Sequence, residues 1–219
     1  MKNTNEAAFA PSVNVVSVLH ALTILYPEAR PELHFSNPYE TLVATILSAQ
    51  CTDVRVNQVT EALFPRYPDA RAMAGADIGA LEEIIKPCGL YHAKAKNIIA
   101  ACRALVAQHS GQVPNDREAL MALPGVGQKT AGVILMAAFG GDEIPVDTHV
   151  FRVSNRIGLA HADTPERVEA QLREVIPKGH RAHAHHLLIW HGRRCCNARS
   201  PACNRCPLRD ALCEYAKSL

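Results

Sequence analysis

The chain has 219 residues, of which 48% are hydrophobic and 20% are charged, a composition that predicts a folded protein and excludes a largely disordered one. Residues 1–13 contain one Lys and no apolar core of signal-peptide length. The longest uninterrupted apolar run, Val133–Phe139, is far too short to span a membrane. We therefore expect a cytoplasmic protein with no membrane partner.

The net charge is only +2, but it is unevenly distributed along the chain. Residues 178–219 hold eight Lys or Arg against two Asp or Glu, a local charge of +6, which leaves −4 on residues 1–177. Because a basic segment attracts polyanions, the C-terminal part is a candidate surface for nucleic acid. A solvated basic tail with no partner is the alternative.

Apolar residues recur at intervals of three and four along most of the chain, as in Val16, Leu19, Leu22 and Leu25, and no segment alternates as a strand does. This pattern predicts an all-α protein of about ten helices. Asn37-Pro38 and Thr164-Pro165 are typical of helix starts, and Gly111 and Gly140 of helix ends. The Gly140-Gly141-Asp142 break is the best candidate for a domain boundary.

Residues 114–136, PNDREALMALPGVGQKTAGVILM, predict a helix-hairpin-helix. A short helix over residues 116–123 meets a Pro-Gly-Val-Gly turn, and an apolar second helix begins at about Gln128. Gly125 and Gly127 allow a tight turn and a close approach to another surface, and the N–H groups that open the second helix can bind a phosphate. An ordinary turn between packed helices is the alternative, which the full string LPGVGQKTA disfavours.

Lys129 falls in the first turn of that second helix, where the helix dipole disfavours an ammonium and favours the neutral amine. A neutral amine is the form that attacks an electrophilic carbon to give a Schiff base. A solvated Lys that only touches phosphate explains the position equally well. Eighteen residues later, Asp147 is placed to cap a helix, a structural role that still leaves one carboxylate oxygen for chemistry.

Five of the eight Cys lie within nineteen residues near the C-terminus, in the pattern Cys196-x6-Cys203-x2-Cys206-x6-Cys213 with Cys195 adjacent. In a reducing compartment this spacing favours a metal centre over disulfides. Four thiolates suit zinc or an iron-sulfur cluster, so the ligand type leaves both open. Cys195 is adjacent to Cys196 and could compete with it as a ligand.

The chain resembles the iron-sulfur branch of the helix-hairpin-helix DNA glycosylases. The resemblance rests on LPGVGQKTA, on VDTHVFRVSNR from Val146, on Ile46–Gln50, on GLYHAKA from Gly89 and on the HGRRCC tail from His191. It implies a bifunctional DNA glycosylase and abasic-site lyase of base excision repair, acting on oxidised or ring-saturated pyrimidines in duplex DNA. A monofunctional mismatch glycosylase, a non-catalytic DNA-binding module and a lyase confined to abasic sites are the alternatives.

By that resemblance, Lys129 is the nucleophile at the sugar C1′ and Asp147 its carboxylate partner, which would either stabilise positive charge on the sugar or relay protons. The two residues would face each other across a cleft between two lobes. The implied lobes are residues 31–141 with the hairpin, and residues 1–30 with 142–219. The resemblance also implies a [4Fe–4S] cluster on Cys196, Cys203, Cys206 and Cys213, although the family's last gap is five residues and this chain has six. The expected cluster role is to structure the loop at 196–213, with redox sensing of DNA as the alternative.

The resemblance further assigns DNA contacts to two groups of residues. Gln50 would pair with the base left behind when a damaged nucleotide is extruded, and Leu90 would fill the gap in the stack. The remaining implied contacts are Gly125, Val126, Gly127, Thr130 and His149. We expect a monomer that works on DNA in the cytoplasm, in association with the nucleoid, on duplexes with damaged pyrimidines or abasic sites.

Overall fold

The computed structural model describes residues 9–218, so residues 1–8 and 219 of the predicted second lobe lie outside the described residues. Within this range the chain forms twelve α-helices and two short 3₁₀ turns, with no β-strand, which confirms the all-α prediction. The chain divides into two compact units. We call residues 31–143 the central unit, and the segments up to Arg30 and from Ile144 onward the terminal unit.

The central unit contains seven of the helices and a 3₁₀ turn over Lys86–Cys88. Its helices are α2 (Pro38–Leu47), α3 (Asp53–Arg66), α4 (Ala70–Ala74), α5 (Ile78–Ile85), α6 (Tyr91–Gln108), α7 (Arg117–Met121) and α8 (Gln128–Phe139). α2 runs against α8, and α4 and α5 pack on α6.

In the central unit, the predicted helix start at Asn37-Pro38 and helix end at Gly140 are confirmed, whereas α6 ends at Gln108, three residues before Gly111. Asn37 caps α2 by accepting a hydrogen bond from the Glu40 N–H at 2.9 Å, and Pro38 occupies the first helical position, where its missing N–H costs nothing. Gly140 ends α8 in the left-handed conformation that glycine adopts without a steric penalty.

A single apolar cluster holds the central unit together, with Leu42, Leu63, Leu81, Ile98 and Ile134 all completely buried. Burial of each such side chain stabilises the fold by about 1.5–3 kcal/mol relative to its exposure. These residues come from α2, α3, α5, α6 and α8, so the core fixes five helices relative to one another.

The terminal unit contains five helices and a 3₁₀ turn over Cys203–Arg205. Its helices are α1 (Val15–Leu25), α9 (Thr148–Ile157), α10 (Pro165–Val175), α11 (Arg181–Arg194) and α12 (Glu214–Lys217). α9 is central to this unit and contacts α10, α11 and α12. Thr164 caps α10 through a hydrogen bond from the Arg167 N–H, as its position before a proline predicts.

The close packing of α9 against α11 depends on Gly192. A Cβ at this position would lie 3.0 Å from the Cβ and Nδ1 of His149 and 3.1 Å from a methyl group of Val153. Since real Cβ atoms rarely approach that closely, a side chain at position 192 would push the two helices apart.

No helix of the described part of the chain is both long and apolar enough to cross a membrane.

Candidate active site and metal centre

The predicted helix-hairpin-helix is present in the central unit. Asp116 caps α7 by accepting a hydrogen bond from the Ala119 N–H at 2.8 Å, and the chain turns back after Leu123. α8 begins at Gln128, the residue predicted from the sequence, with Gly127 as its N-cap. Because glycine has no side chain to cap the helix, the first-turn N–H groups of α8 have no side-chain acceptor in the described structure.

The two glycines of the hairpin turn have different roles. Gly125 has a φ of +80°, and a Cβ there would lie 2.9 Å from the Cβ of Asn97 on α6. Both facts require glycine, as predicted. Gly127 has a φ of −94°, which other residues also adopt, and nothing lies within 4 Å of the place where its Cβ would be. Its backbone is therefore open to an external group.

The other predicted site residues of the hairpin differ in their exposure to solvent. Lys129 is exposed at the second position of α8, in the first turn as predicted. Val126 is only 6% exposed and belongs to the apolar core of the central unit. Its side chain anchors the turn from within and leaves its backbone for binding, so the predicted DNA contact of Val126 stays a prediction for the main chain. Thr130 is half-buried.

Asp147 caps α9 in the terminal unit. Its Oδ1 accepts hydrogen bonds from the N–H groups of His149 at 2.9 Å and Val150 at 2.7 Å. Within residues 9–218, no hydrogen bond reaches its second oxygen, so the half-buried carboxylate retains one oxygen for another partner, as the sequence predicts. Asp147 and Lys129 belong to different units, and their predicted approach across a cleft stays a prediction.

His149 lies two residues after Asp147, in the first turn of α9, and is half-buried against Gly192 of α11. Its Nδ1 is 3.3 Å from a guanidinium nitrogen of Arg152. Burial lowers the pKa of His149, and the charges of Arg152 and Arg193 lower it further, whereas Asp147 opposes the change. The neutral ring is therefore favoured, and it donates a hydrogen bond from one nitrogen and accepts one at the other.

Gln50 and Leu90 share an unusual backbone conformation in the central unit. Gln50 follows α2 with a φ of +53°, and Leu90 precedes α6 with a φ of +47°. Leu90 is 59% exposed although it is a large apolar residue, and Gln50 is also exposed. A left-handed residue other than glycine costs about 1–3 kcal/mol, a strain that concentrates at functional positions. Its exposure excludes Leu90 from the apolar core.

The five C-terminal cysteines line one small cavity in the terminal unit. Its walls are formed by Ile157, His191, Cys195, Cys196, Pro201, Ala202, Cys203, Cys206, Cys213, Tyr215 and Ala216. The donor atoms of His191, Cys195 and Cys206 lie within 4.8 Å of one another, which is a spacing that could hold a metal ion. This clustering of sulfur donors is consistent with the predicted metal centre.

Burial makes these sulfurs poor anions in the absence of a cation. It raises the pKa of the Cys206 thiol to about 11, and it raises the pKa of the Cys195 and Cys213 thiols as well. Thiols ligate metals as thiolates, and the positive charge of a metal centre would stabilise these buried thiolates.

His191 is a residue of this cavity that the sequence analysis missed. It is 1% exposed, its Nδ1 is 3.1 Å from the Tyr26 hydroxyl, and its Nε2 is 3.7 Å from the sulfur of Cys206. Burial lowers the pKa of His191 to about 4, so the ring is neutral. Its place in HGRRCC, four residues before Cys195, was the available signal, because residues four apart on a helix share a face.

Two arginines of α9 hold the start of the cysteine loop. Arg156 donates to the carbonyls of Asn197 at 2.7 Å and Ala198 at 2.8 Å, and its guanidinium lies 3.6 Å from the sulfur of Cys196. One turn earlier, Arg152 donates to the carbonyl of Cys196 at 3.1 Å. This pair could not be recognised from the sequence, because its contacts join residues that are forty or more positions apart.

The class of protein follows from a comparison with known families. Residues 43–178 match the family model described as the HhH-GPD superfamily base excision DNA repair protein. This match covers more than half of the chain and includes the hairpin, Lys129 and Asp147. The chain therefore belongs to the HhH-GPD superfamily of base excision DNA repair proteins.

Within that superfamily the chain is similar to proteins named endonuclease III. The protein from Escherichia coli K12 is 49% identical over 193 residues, which cover 88% of this chain and 91% of the relative. The protein from Rickettsia conorii is 49% identical over 86% of this chain and 90% of the relative. A solved structure of a trapped endonuclease III–DNA covalent intermediate is 43% identical with a TM-score of 0.88, over 93% of this chain and 96% of that one.

Proposed function

We propose that this protein is a bifunctional DNA glycosylase and abasic-site lyase that removes oxidised or ring-saturated pyrimidines from duplex DNA. The observation that carries the proposal is an exposed lysine, Lys129, in the first turn of the second hairpin helix. Similarity to endonuclease III over most of the chain supports the assignment. So does a relative of the same fold that was trapped as a covalent DNA intermediate.

The hairpin binds the DNA backbone in this proposal. A phosphate oxygen approaches the open side of Gly127 and accepts hydrogen bonds from the first N–H groups of α8, which have no side-chain cap. The positive end of the helix dipole adds an attraction for the anion. These contacts are independent of base sequence, so they place the enzyme on any duplex and leave lesion selection to other residues.

Lys129 acts as the nucleophile. Its neutral amine attacks C1′ of the sugar, the glycosidic bond breaks, and the base departs with the electron pair and takes up a proton. The sugar ring opens to an imine between C1′ and the lysine nitrogen. The imine acidifies a C2′ hydrogen, and loss of that proton expels the 3′ phosphate oxygen with the C3′–O electron pair. Water then hydrolyses the imine and frees Lys129.

Asp147 acts through the carboxylate oxygen that the helix cap leaves available. As base departure begins, positive charge develops on the sugar, and a carboxylate nearby lowers the energy of that state. The cap bonds at 2.7 and 2.9 Å fix the orientation of the group before the substrate arrives. His149, Thr130 and the hairpin backbone complete the proposed DNA contacts.

Gln50 and Leu90 make base extrusion possible in this proposal. Extrusion of a nucleotide costs a few kcal/mol, which is lowest for bases that stack or pair poorly. A ring-saturated pyrimidine has lost its planarity and stacks badly, so this step itself favours such lesions. Leu90 occupies the space vacated in the stack, and the amide of Gln50 pairs with the orphaned base.

We further propose that the cysteine cavity holds a [4Fe–4S] cluster on Cys196, Cys203, Cys206 and Cys213. The fit is supported by the convergence of five cysteines on one cavity and by the Arg156 guanidinium beside Cys196, since a four-thiolate cluster of this type is anionic. When bound, the cluster would cross-link the loop at 196–213 and hold its basic residues toward DNA.

Cys195 competes with Cys196 for the fourth position, because its sulfur lies within 4.8 Å of the donor atoms of His191 and Cys206. Matched variants separate the two. If Cys196 is the ligand, Cys196→Ser loses most of the iron and the brown colour, while Cys195→Ser retains both. The reverse result would assign the ligand to Cys195. Colourless protein loaded with zinc would refute the iron-sulfur assignment.

The enzyme proposal is tested with two duplexes, one containing a thymine glycol and one containing a pre-made abasic site. We expect base release and strand cleavage on the first and cleavage on the second, both abolished by Lys129→Ala. Base release without cleavage would indicate a monofunctional glycosylase. Cleavage of the abasic duplex alone would indicate a lyase, and binding without either reaction would indicate a DNA-binding module.

A further inference from the structure

A single buried ammonium links the two segments that carry Gln50 and Leu90. Lys94 lies in the second turn of α6 and is 4% exposed, which is rare for a lysine with no carboxylate bonded to it. Its Nζ donates hydrogen bonds of 2.8 Å to the carbonyls of Leu47 and Cys88. Leu47 is the last residue of α2, and Cys88 is the last residue of the 3₁₀ turn.

These two carbonyls are anchors for the strained residues that follow them. Gln50 comes three residues after Leu47, and Leu90 comes two residues after Cys88. The backbone N–H of Lys94 also donates to the carbonyl of Leu90 at 3.0 Å, so one residue bonds both ends of the Cys88–Leu90 segment. Three residues other than glycine have a left-handed φ in the described chain, namely Gln50, Leu90 and Ser110. Lys94 forms hydrogen bonds with the segments that contain Gln50 and Leu90.

The chemistry explains why a lysine occupies this place. The carbonyl ends of two helical segments converge there, and the negative ends of their dipoles favour a cation. An ammonium has three donors and can serve two carbonyls from one point, which an apolar residue cannot do. Burial lowers the pKa of Lys94, which marks the cost of keeping the charge inside. The buried charge is unfavourable in itself, and its hydrogen bonds hold together the two exposed, strained segments that contain Gln50 and Leu90.

We propose that Lys94 is a positioning residue for base extrusion, which holds Gln50 and Leu90 at a fixed separation before DNA binds. The inference rests on the proposed function, in which those two residues enter the duplex. Lys94 itself is buried and touches no DNA. Its removal frees two carbonyls and releases the strain at both segments, so that each relaxes toward ordinary backbone conformations.

The test is a double-mutant cycle on the full-length protein, with single-turnover release of thymine glycol from a duplex as the readout. We expect Lys94→Met to slow release about 10–100-fold, and to slow it less than about threefold further when Leu90→Ala is already present. Lys94→Arg, which keeps the charge and several donors, should remain within about fivefold of the parent protein. A residue that only stabilises the fold would give independent, additive losses.

A second substrate isolates positioning from folding. A single-stranded oligonucleotide with a pre-made abasic site needs neither base extrusion nor a wedge, so Lys94→Met should cleave it at nearly the parental rate. Circular dichroism at the assay temperature establishes that the variant is folded. If Lys94→Met is unfolded, Lys94→Gln, which removes the charge and shortens the side chain, replaces it in the same cycle, and the same coupling with Leu90→Ala is expected.

The outcomes separate this inference from the function on which it rests. Failure of the parent protein to release the base refutes the proposed function and, with it, the inference. Normal release by Leu90→Ala refutes the role of the wedge. If the parent protein is active and Leu90→Ala is slow, but Lys94→Met is harmless or additive with Leu90→Ala, only the positioning role of Lys94 is wrong.

Discussion

A substitution of Gly125 by alanine should destabilise the central unit strongly. The left-handed φ of +80° costs about 1–2 kcal/mol for a residue with a Cβ. The new methyl would also lie 2.9 Å from the Cβ of Asn97, an atom fixed to the α6 backbone that cannot rotate away. Overpacking of this kind costs about 1–3 kcal/mol, so the free energy of unfolding should fall by about 2–5 kcal/mol in total.

Gly127 provides the matched control two residues away. Its φ is negative and its Cβ would meet nothing within 4 Å, so Gly127→Ala should change the free energy of unfolding by less than about 1 kcal/mol. The same methyl would occupy the open space through which a phosphate approaches α8. We therefore expect Gly127→Ala to weaken duplex binding about tenfold while the protein remains stable.

Urea unfolding followed by circular dichroism measures the stability of both variants, and fluorescence anisotropy with a labelled duplex measures binding. The expected pattern is a loss of stability in Gly125→Ala and a loss of affinity in Gly127→Ala. Equal stability of Gly125→Ala and the parent protein would refute the argument from the backbone. Unchanged affinity of Gly127→Ala would refute the phosphate site.

Arg156→Ala removes two hydrogen bonds to the cysteine loop and should lower the iron content of purified protein, whereas Arg167→Ala, which removes an exposed ion pair with Asp163, should not. Burial lowers the pKa of His186 from 6.5 to about 4, so the folded state favours the neutral ring. The contribution of His186 to the free energy of unfolding should therefore be fully present above about pH 6.5 and be lost as the pH falls toward about 4. Urea unfolding at about pH 7 and pH 5 should show a smaller decline in His186→Gln than in the parent protein. The Kd for duplex DNA should rise more than about tenfold between roughly 50 and 200 mM salt, and a flat response would contradict binding through phosphates.

Features governed by local sequence could be predicted. The hairpin helices, the start of α8 at Gln128 and the cap at Asp147 depend on a few neighbouring residues, and the structure confirms each of them. A cap needs only a short polar side chain before a helix, and a turn needs only a glycine where φ is positive. Such rules involve no knowledge of distant residues.

Features that depend on tertiary packing could not be predicted in this way. The sequence does not reveal that Val126 turns into the core, because an apolar residue in a turn can face either side. Nor does it show that Lys94 bonds Leu47 across forty-seven residues, or that Arg156 reaches the cysteine loop. These contacts depend on which helix faces lie together, a property of the whole fold.

Borohydride trapping tests the central claim, that the amine of Lys129 forms a Schiff base with the sugar. Reduction of the enzyme on a thymine glycol duplex should fix a covalent protein–DNA adduct, and mass spectrometry should locate it on the peptide that contains Lys129. The adduct should be absent from Lys129→Ala and present in Lys86→Ala, a change at an exposed lysine of the same unit. An adduct that persists in Lys129→Ala, or base release with no adduct in the parent protein, would contradict the claim.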